Sequence, residues 1–186
     1  MIGYAFCGSF CTLSHSLAAL RQLCADGYDI QPIMSEKVYE TDTRFWCAKD
    51  FRRTVEELCK KEVIHSIVDA EPLGPSINLE ALIIAPCTGN TIAKIASGIT
   101  DSSVTMAAKA HLRSDRTTLI ALASNDAMSA NLSNIAKLLL RKNVYFVPMR
   151  QDDPEKKPHS LVADFTLLHE CLSSALEHRQ HTPLFL

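Results

Sequence analysis

Five consecutive residues, Cys87, Thr88, Gly89, Asn90 and Thr91, follow the apolar run Leu82, Ile83, Ile84, Ala85, with Pro86 between them. Hydroxyls and an amide at this spacing offer neutral donors and acceptors. They suit a neutral heteroaromatic ligand better than a charged one. The apolar run reads as a strand buried on both faces, as in a parallel sheet. Pro86 is expected to stop it, because it has no N–H for the ladder. The polar residues then stand at the strand's carboxyl end and open an amphipathic helix over 89–97. Ligands of open α/β sheets bind at such ends. The unpaired N–H groups of a helix start favour anions or electron-rich rings. Asn90 can meet the edge of a ring with a donor and an acceptor, or cap a helix that begins at Thr91; the two roles are compatible.

Three further segments carry polar groups at strand ends. Cys7, Gly8, Ser9, Phe10, Cys11, Thr12, Leu13, Ser14 join a first strand to a first helix. Glycine permits a tight turn, and hydroxyls with helix-end N–H groups can cradle a phosphate; Ser9 and Thr12 can equally be plain helix caps. The segment is neither GxGxxG nor GxxxxGK[ST], so dinucleotide and P-loop readings lose support. Ser35 follows the second strand and reads as a phosphate neighbour or an ordinary turn serine. Ser124, Asn125 and Asp126 follow a strand over 117–123. Asn125 is the best polar candidate there, and Asp126 a helix cap.

The elements that must position these residues alternate along the chain. Strands are expected over 2–6, 28–34, 64–68, 82–85, 117–123 and 144–147. Helices are expected over 13–25, 48–61, 89–97, from Ser102 or Ser103 to 112, over 130–141 and over 161–178. Leu13, Leu17, Leu20 and Cys24 form the apolar stripe of the first helix, and Gly27 ends it. Residues 35–43 read as a loop or short helix, and 69–76 as a turn-rich loop. The alternation predicts an α/β fold, a three-layer doubly wound parallel sheet with helices on both faces. The 186 residues are expected to form one domain. The charged segment 150–159 reads on composition as a solvated connector.

A net charge of -2 gives no reason to expect nucleic acid or an anionic membrane as partner. No apolar run reaches the roughly 20 residues of a membrane helix, and the apolar start lacks the basic region of a signal peptide. The seven cysteines include no CxxC pair. Most are read as small hydrophobes in apolar helices or strands, in a reducing cytoplasm and with no metal site.

Ala85-Pro86, Asn90-Thr91-Ile92-Ala93-Lys94-Ile95-Ala96, Gly98-Ile99 and Asp101 together resemble the Asn-Thr segment of the flavoprotein family, which includes the flavin-containing cysteine decarboxylases. The resemblance implies a Rossmann-like doubly wound fold, FMN as cofactor, and trimers or multiples of trimers. By it, Gly8, Ser9, Thr12 and Ser35 would hold the FMN phosphate. Pro86, Thr88, Gly89, Asn90 and Thr91 would form the ring loop, with Ser124 and Asn125 beside the substrate face. Gly89 replaces the family's Ala and is expected to add room. The decarboxylases carry a His whose place falls here near Pro72, and His65 lies seven residues too early. The acid/base group is therefore missing, and no catalytic residue is assigned.

A narrower resemblance covers nearly the whole chain. Residues 69–75, 84–90, Ala107-Ala108-Lys109-Ala110, Leu112-Arg113, 124–127 and 151–158 are similar to the B subunits of dipicolinate synthase. This implies oxidation of a dihydrodipicolinate-type precursor to pyridine-2,6-dicarboxylate, in the mother-cell cytoplasm of a sporulating bacterium. The partners implied are a nicotinamide-dependent A subunit, which brings NADPH within reach, and the dicarboxylate substrate. Residues 151–158 would then shape the site or an interface, and Lys109, Arg113, Lys156 and Lys157 would attract the dicarboxylate or stay surface charges. A non-catalytic role beside the A subunit is the alternative; an FMN-dependent decarboxylase is a third reading.

Overall fold

The computed structural model describes residues 1–74 and 76–186. Pro75, part of the expected loop and of the block 69–75, lies outside the described residues. Five parallel strands form the body of the sheet: β1 (Ile2–Phe6), β2 (Ile30–Met34), β3 (Ala81–Cys87), β4 (Thr117–Ser124) and β5 (Val144–Phe146). Their order is β2-β1-β3-β4-β5, with every pairing parallel. The long β4 outruns β5. Its last residues, Ala123 and Ser124, pair antiparallel with β7 (Leu161–Ala163), which pairs in turn with β6 (Met149–Arg150). The sheet is thus mixed but dominated by parallel pairs.

Helices cover both faces. α1 (Leu13–Ala25), α3 (Ala48–Cys59) and α8 (Leu168–Leu176) pack on one side, where Tyr4, Phe6, Ile83 and Leu119 meet Leu17, Leu20, Phe51, Val55 and Leu172. α5 (Gly89–Ser97), α6 (Ser103–Leu112) and α7 (Leu132–Leu139) cover the other, over Ala5, Leu82, Ile84, Ile120 and Leu122. Neighbouring strand residues alternate between the two clusters, as the pleat requires. Each fully buried Leu, Ile or Phe contributes roughly 1.5–3 kcal/mol. Among the described residues no helix is long and apolar enough to cross a membrane. Cys7, Cys59, Cys87 and Cys171 are buried, Cys11 and Cys47 exposed, and Cys24 half-buried. Burial pushes the Cys7 thiol to about 11 and that of Cys171 to about 12.

Several elements differ from the sequence expectation. β3 runs through Pro86 to Cys87 instead of stopping at it. The register with β4 shifts between Ile84 and Cys87, so no ladder donor is missed at the proline. The segment 64–68 is not a strand: Ile64 makes a single bridge to Ile33, and Ser66 caps the short α4 (Ile67–Ala70) by accepting from Asp69 N. α3 ends at Cys59 because Lys60 turns into the left-handed region at φ 54°. The last helix begins at Leu168. Leu161–Ala163 instead extend the sheet along the edge that β5 leaves open, and Asp164 starts a new turn by accepting from Thr166 N. Residues 35–43 contain the helix α2 (Glu36–Glu40).

One buried network ties α1 to the sheet. Ser16 Oγ donates to Ala85 O at 2.6 Å, and Tyr4 Oη lies 2.9 Å from both Ser16 O and Ser16 Oγ. Replacing Ser16 with Ala leaves the Ala85 carbonyl without this donor, so a loss of about 1–3 kcal/mol is expected in urea denaturation.

His111 gives a pH-dependent term. It is buried at the end of α6, and its Nε2 donates to Thr117 O at 2.7 Å. Burial lowers its pKa to about 4 from 6.5. The unfolded chain therefore takes up this proton first, and His111 costs stability as pH falls from about 6.5 to 4. Urea titrations across that window should show a steeper loss in the wild type than in His111→Gln, the difference vanishing above pH 7.

Candidate ligand-binding cleft

The carboxyl ends of β1, β3 and β4 come together at one edge of the sheet. Cys7 N donates to Pro86 O at 3.1 Å, joining the turns after β1 and β3. After β1 the chain enters a short 3-10 turn, Phe10–Thr12, before α1. Thr12 is buried, and its Oγ1 lies 2.9 Å from Ser9 O and 3.0 Å from Ser9 Oγ. Thr12 therefore shapes the Ser9 turn. Ser35 follows β2 directly, with its N–H on Phe6 O at 3.0 Å. Its hydroxyl oxygen is buried and has no hydrogen-bond partner among the described residues.

The turn after β3 differs from the expectation in one respect. Thr88, not Asn90, caps α5: its Oγ1 accepts from Thr91 N at 3.2 Å, and the helix begins at Gly89. Thr88 has the extended backbone that a cap needs, at ψ 162°, whereas Asn90 already lies in the first turn. The Asn90 amide is exposed and makes no side-chain hydrogen bond among the described residues. Gly89 does not add room. A Cβ there would stand 2.6 Å from Asp126 Oδ1 and 2.7 Å from Asn131 Nδ2, and closer still to Ser124 Oγ. The loop after β4 fills the space that a side chain would take. Asp126 is not a helix cap: its carboxylate accepts from Ser124 Oγ, while Asn131 stands at the N-cap of α7. The Ser124 hydroxyl, and then Asn131, hold the Asp126 carboxyl below the usual range.

Two adjoining cavities line this edge and share Gly8, Thr88 and Asn90. One, of about 690 Å³, adds Ser35 and Thr91, with the Lys94–Asp101 ion pair at its rim. The other, of about 610 Å³, adds Ser9, Thr12, Gly89, Ser124 and Asn125. Of the expected site residues only Pro86 is absent from both walls. It is buried behind them.

His15, Cys11 and Asp152 also face the second cavity, although none of them is among the expected ligand-binding residues. His15 carries a weak signal, its nearness to Thr12 on the first turn of α1, whereas Cys11 lies within the candidate segment itself, in the 3-10 turn before α1. Asp152 belongs to the block 151–158, which reads as solvated on composition but which the resemblance expects to shape the site or an interface. Lys157 reaches the same cavity and pairs with Asp152 at 2.6 Å. Lys109 and Arg113 do not: they border a smaller groove between α5 and α6. Lys156 lines neither cavity. His65 stacks on Tyr39 at 3.7 Å between centroids, away from both walls.

The family model described as Flavoprotein matches residues 1–166. The chain belongs to the flavoprotein family. Within that family, it is 40% identical over 185 residues to the B subunit of dipicolinate synthase from Bacillus subtilis (strain 168), covering all of this chain and 92% of the relative. It is thus a homologue of that protein. A crystal structure of the dipicolinate synthase B subunit from Bacillus halodurans superimposes with a TM-score of 0.91 at 36% identity, over 100% of this chain and 95% of the other. The FMN-dependent cysteine decarboxylase SpaF shares the fold, with a TM-score of 0.68 at 22% identity, over 95% and 94% of the two chains.

The packing at Gly89 makes a direct prediction. Gly89→Ala should cost about 1–3 kcal/mol by overpacking the Ser124–Asp126 loop. A urea midpoint equal to the wild type would contradict that packing.

Proposed function

We propose that this flavoprotein is the FMN-binding subunit of an oxidoreductase that converts a dihydrodipicolinate-type precursor to dipicolinate. The observation that carries the reading is the Ser35 hydroxyl, buried and unpartnered at the wall of the larger cavity. A buried hydroxyl with no partner costs free energy unless a ligand completes it. A phosphate oxygen beside Gly8 and Ser9 would do so, next to the first turn of α1. The donor set fits FMN: hydroxyls and backbone turns for the phosphate, and a neutral amide and threonines for the ring.

In this reading Gly8, Ser9 and Ser35 bind the phosphate, and Thr12 holds Ser9 in place. Thr88, Gly89, Asn90 and Thr91 border the ring, Asn90 with both a donor and an acceptor. Pro86 acts from behind, through the carbonyl that fixes the Cys7 turn. Ser124 and Asn125 face the substrate side. Bound flavin would supply a two-electron acceptor, while the chain supplies orientation and polarity. A nicotinamide-dependent A subunit would complete the reaction unit, its oxidised nicotinamide accepting the two electrons at its own site and leaving as NADPH. The chain assembles as trimers or multiples of trimers and works in the mother-cell cytoplasm of a sporulating bacterium.

A second reading, a non-catalytic partner of the A subunit, draws on one observation. By the resemblance, the place of the family's decarboxylase histidine falls near Pro72, and Pro72 lines neither cavity.

Titration of the purified chain with FMN, followed by flavin fluorescence with and without the A subunit, separates the two. Saturable binding at micromolar concentration or tighter, about -8 kcal/mol, is expected. Ser9→Ala and Ser35→Ala should each weaken it at least tenfold, with little change in thermal stability for Ser35→Ala. Absence of binding under both conditions would reject the flavin site and leave the partner role.

A further inference from the structure

The charged segment 151–160 is not a free connector. It joins β6 to β7 and is closed by its own hydrogen bonds: Lys157 N donates to Asp153 O at 2.7 Å, Ser160 N to Lys157 O at 3.0 Å, and Gln151 Nε2 to Pro158 O at 3.0 Å. It is also tied to the loop after β4. Met128 N donates to His159 O at 2.9 Å, and Ser160 Oγ reaches Asn125 Oδ1 at 3.5 Å. These bonds hold the segment as a wall of the second cavity and deliver Lys157 to it.

We propose that Lys157 is the residue that binds a carboxylate of the ligand in the second cavity, and that Asp152 holds its place until the ligand arrives. The proposal rests on the dicarboxylate reading above and assigns its specificity to a residue. Among the described residues Lys157 is the only lysine or arginine on that wall. Two carboxylates share that wall. Asp126 is engaged by Ser124, whereas Asp152 is engaged by Lys157. The Lys157–Asp152 pair is partly exposed, with side chains 47% and 30% accessible. A solvated pair of this kind is weak, so a ligand carboxylate can replace Asp152 at small cost. Asn125 provides the second contact. Its Oδ1 is taken by Ser160, which turns the Nδ2 donors to other acceptors. A planar ring carrying two acid groups would meet Lys157 with one and Asn125 with the other. Asp126 and Asp152 make the rest of this wall acidic, so an acid group of the ligand can settle only at Lys157.

The test is titration of the chain with pyridine-2,6-dicarboxylate by calorimetry, with FMN present and absent. Lys157→Gln should weaken binding at least tenfold, and Lys157→Arg should recover most of it. Lys156→Gln, outside the cavity, should stay within twofold of the wild type. Asp152→Asn should bind about threefold tighter or more, because the competing carboxylate is gone. A purely structural ion pair would make Asp152→Asn and Lys157→Gln fail together. Wild-type binding that is absent, or unchanged in Lys157→Gln, would overturn the proposal, as would equal losses in Lys156→Gln and Lys157→Gln. FMN affinity should be the same in the wild type and Lys157→Gln, so failure of the flavin site and failure of this assignment give different patterns.

Discussion

The ligand end of the molecule depends on β1 and β3 staying paired up to their last residues. The bond from Cys7 N to Pro86 O extends that pairing past the strand ends. The Ser16 hydroxyl on Ala85 O fastens α1 to the same point. Both turns of the cleft, Gly8–Thr12 and Thr88–Thr91, leave from this junction. Their relative position is therefore set by backbone hydrogen bonds in a dry core, where an unmade bond is expensive. Gly8, Ser9, Thr88 and Gly89 in these turns can be small and uncharged because they need not organise the cleft.

The third wall follows from a mismatch in strand length. β4 is longer than β5, and its free carboxyl half would be an exposed edge. The β6–β7 hairpin covers it by pairing β7 with Ala123 and Ser124. The segment between those two strands is thereby carried across the carboxyl end of the sheet. An interaction that protects a sheet edge also brings Asp152 and Lys157 to the cleft. The same loop after β4 packs under Gly89, so the three walls are mechanically coupled.

The doubly wound core was legible in the sequence because its signals are local and periodic. The stripe Leu13, Leu17, Leu20, the run Leu82–Ala85 and the small polar residues after each strand all act over a few positions. What was missed depends on tertiary pairing. Leu161, Val162 and Ala163 are apolar enough for a helix face or a strand, and only the free edge of β4 decides for the strand. Pro86 breaks a ladder in general, but a register shift removes the demand for its missing donor. Asn90 and Thr88 are both good caps, and the choice rests on which residue has extended backbone. Composition leaves Lys157 either a dicarboxylate contact or a surface charge, because nothing in its neighbours reveals the bonds from its segment to Asn125 and Met128. Lys109 and Arg113 looked equally eligible, yet α6 turns them to another groove.

We propose that the strand-end cleft holds FMN, with its phosphate at Gly8, Ser9 and Ser35 and its ring over Thr88–Thr91. A crystal structure of the chain soaked with FMN tests it most directly. A phosphate oxygen within hydrogen-bond distance of Ser35 Oγ and the ring edge against the Asn90 amide are expected. FMN bound at another place, or no bound flavin at saturating concentration, would contradict it.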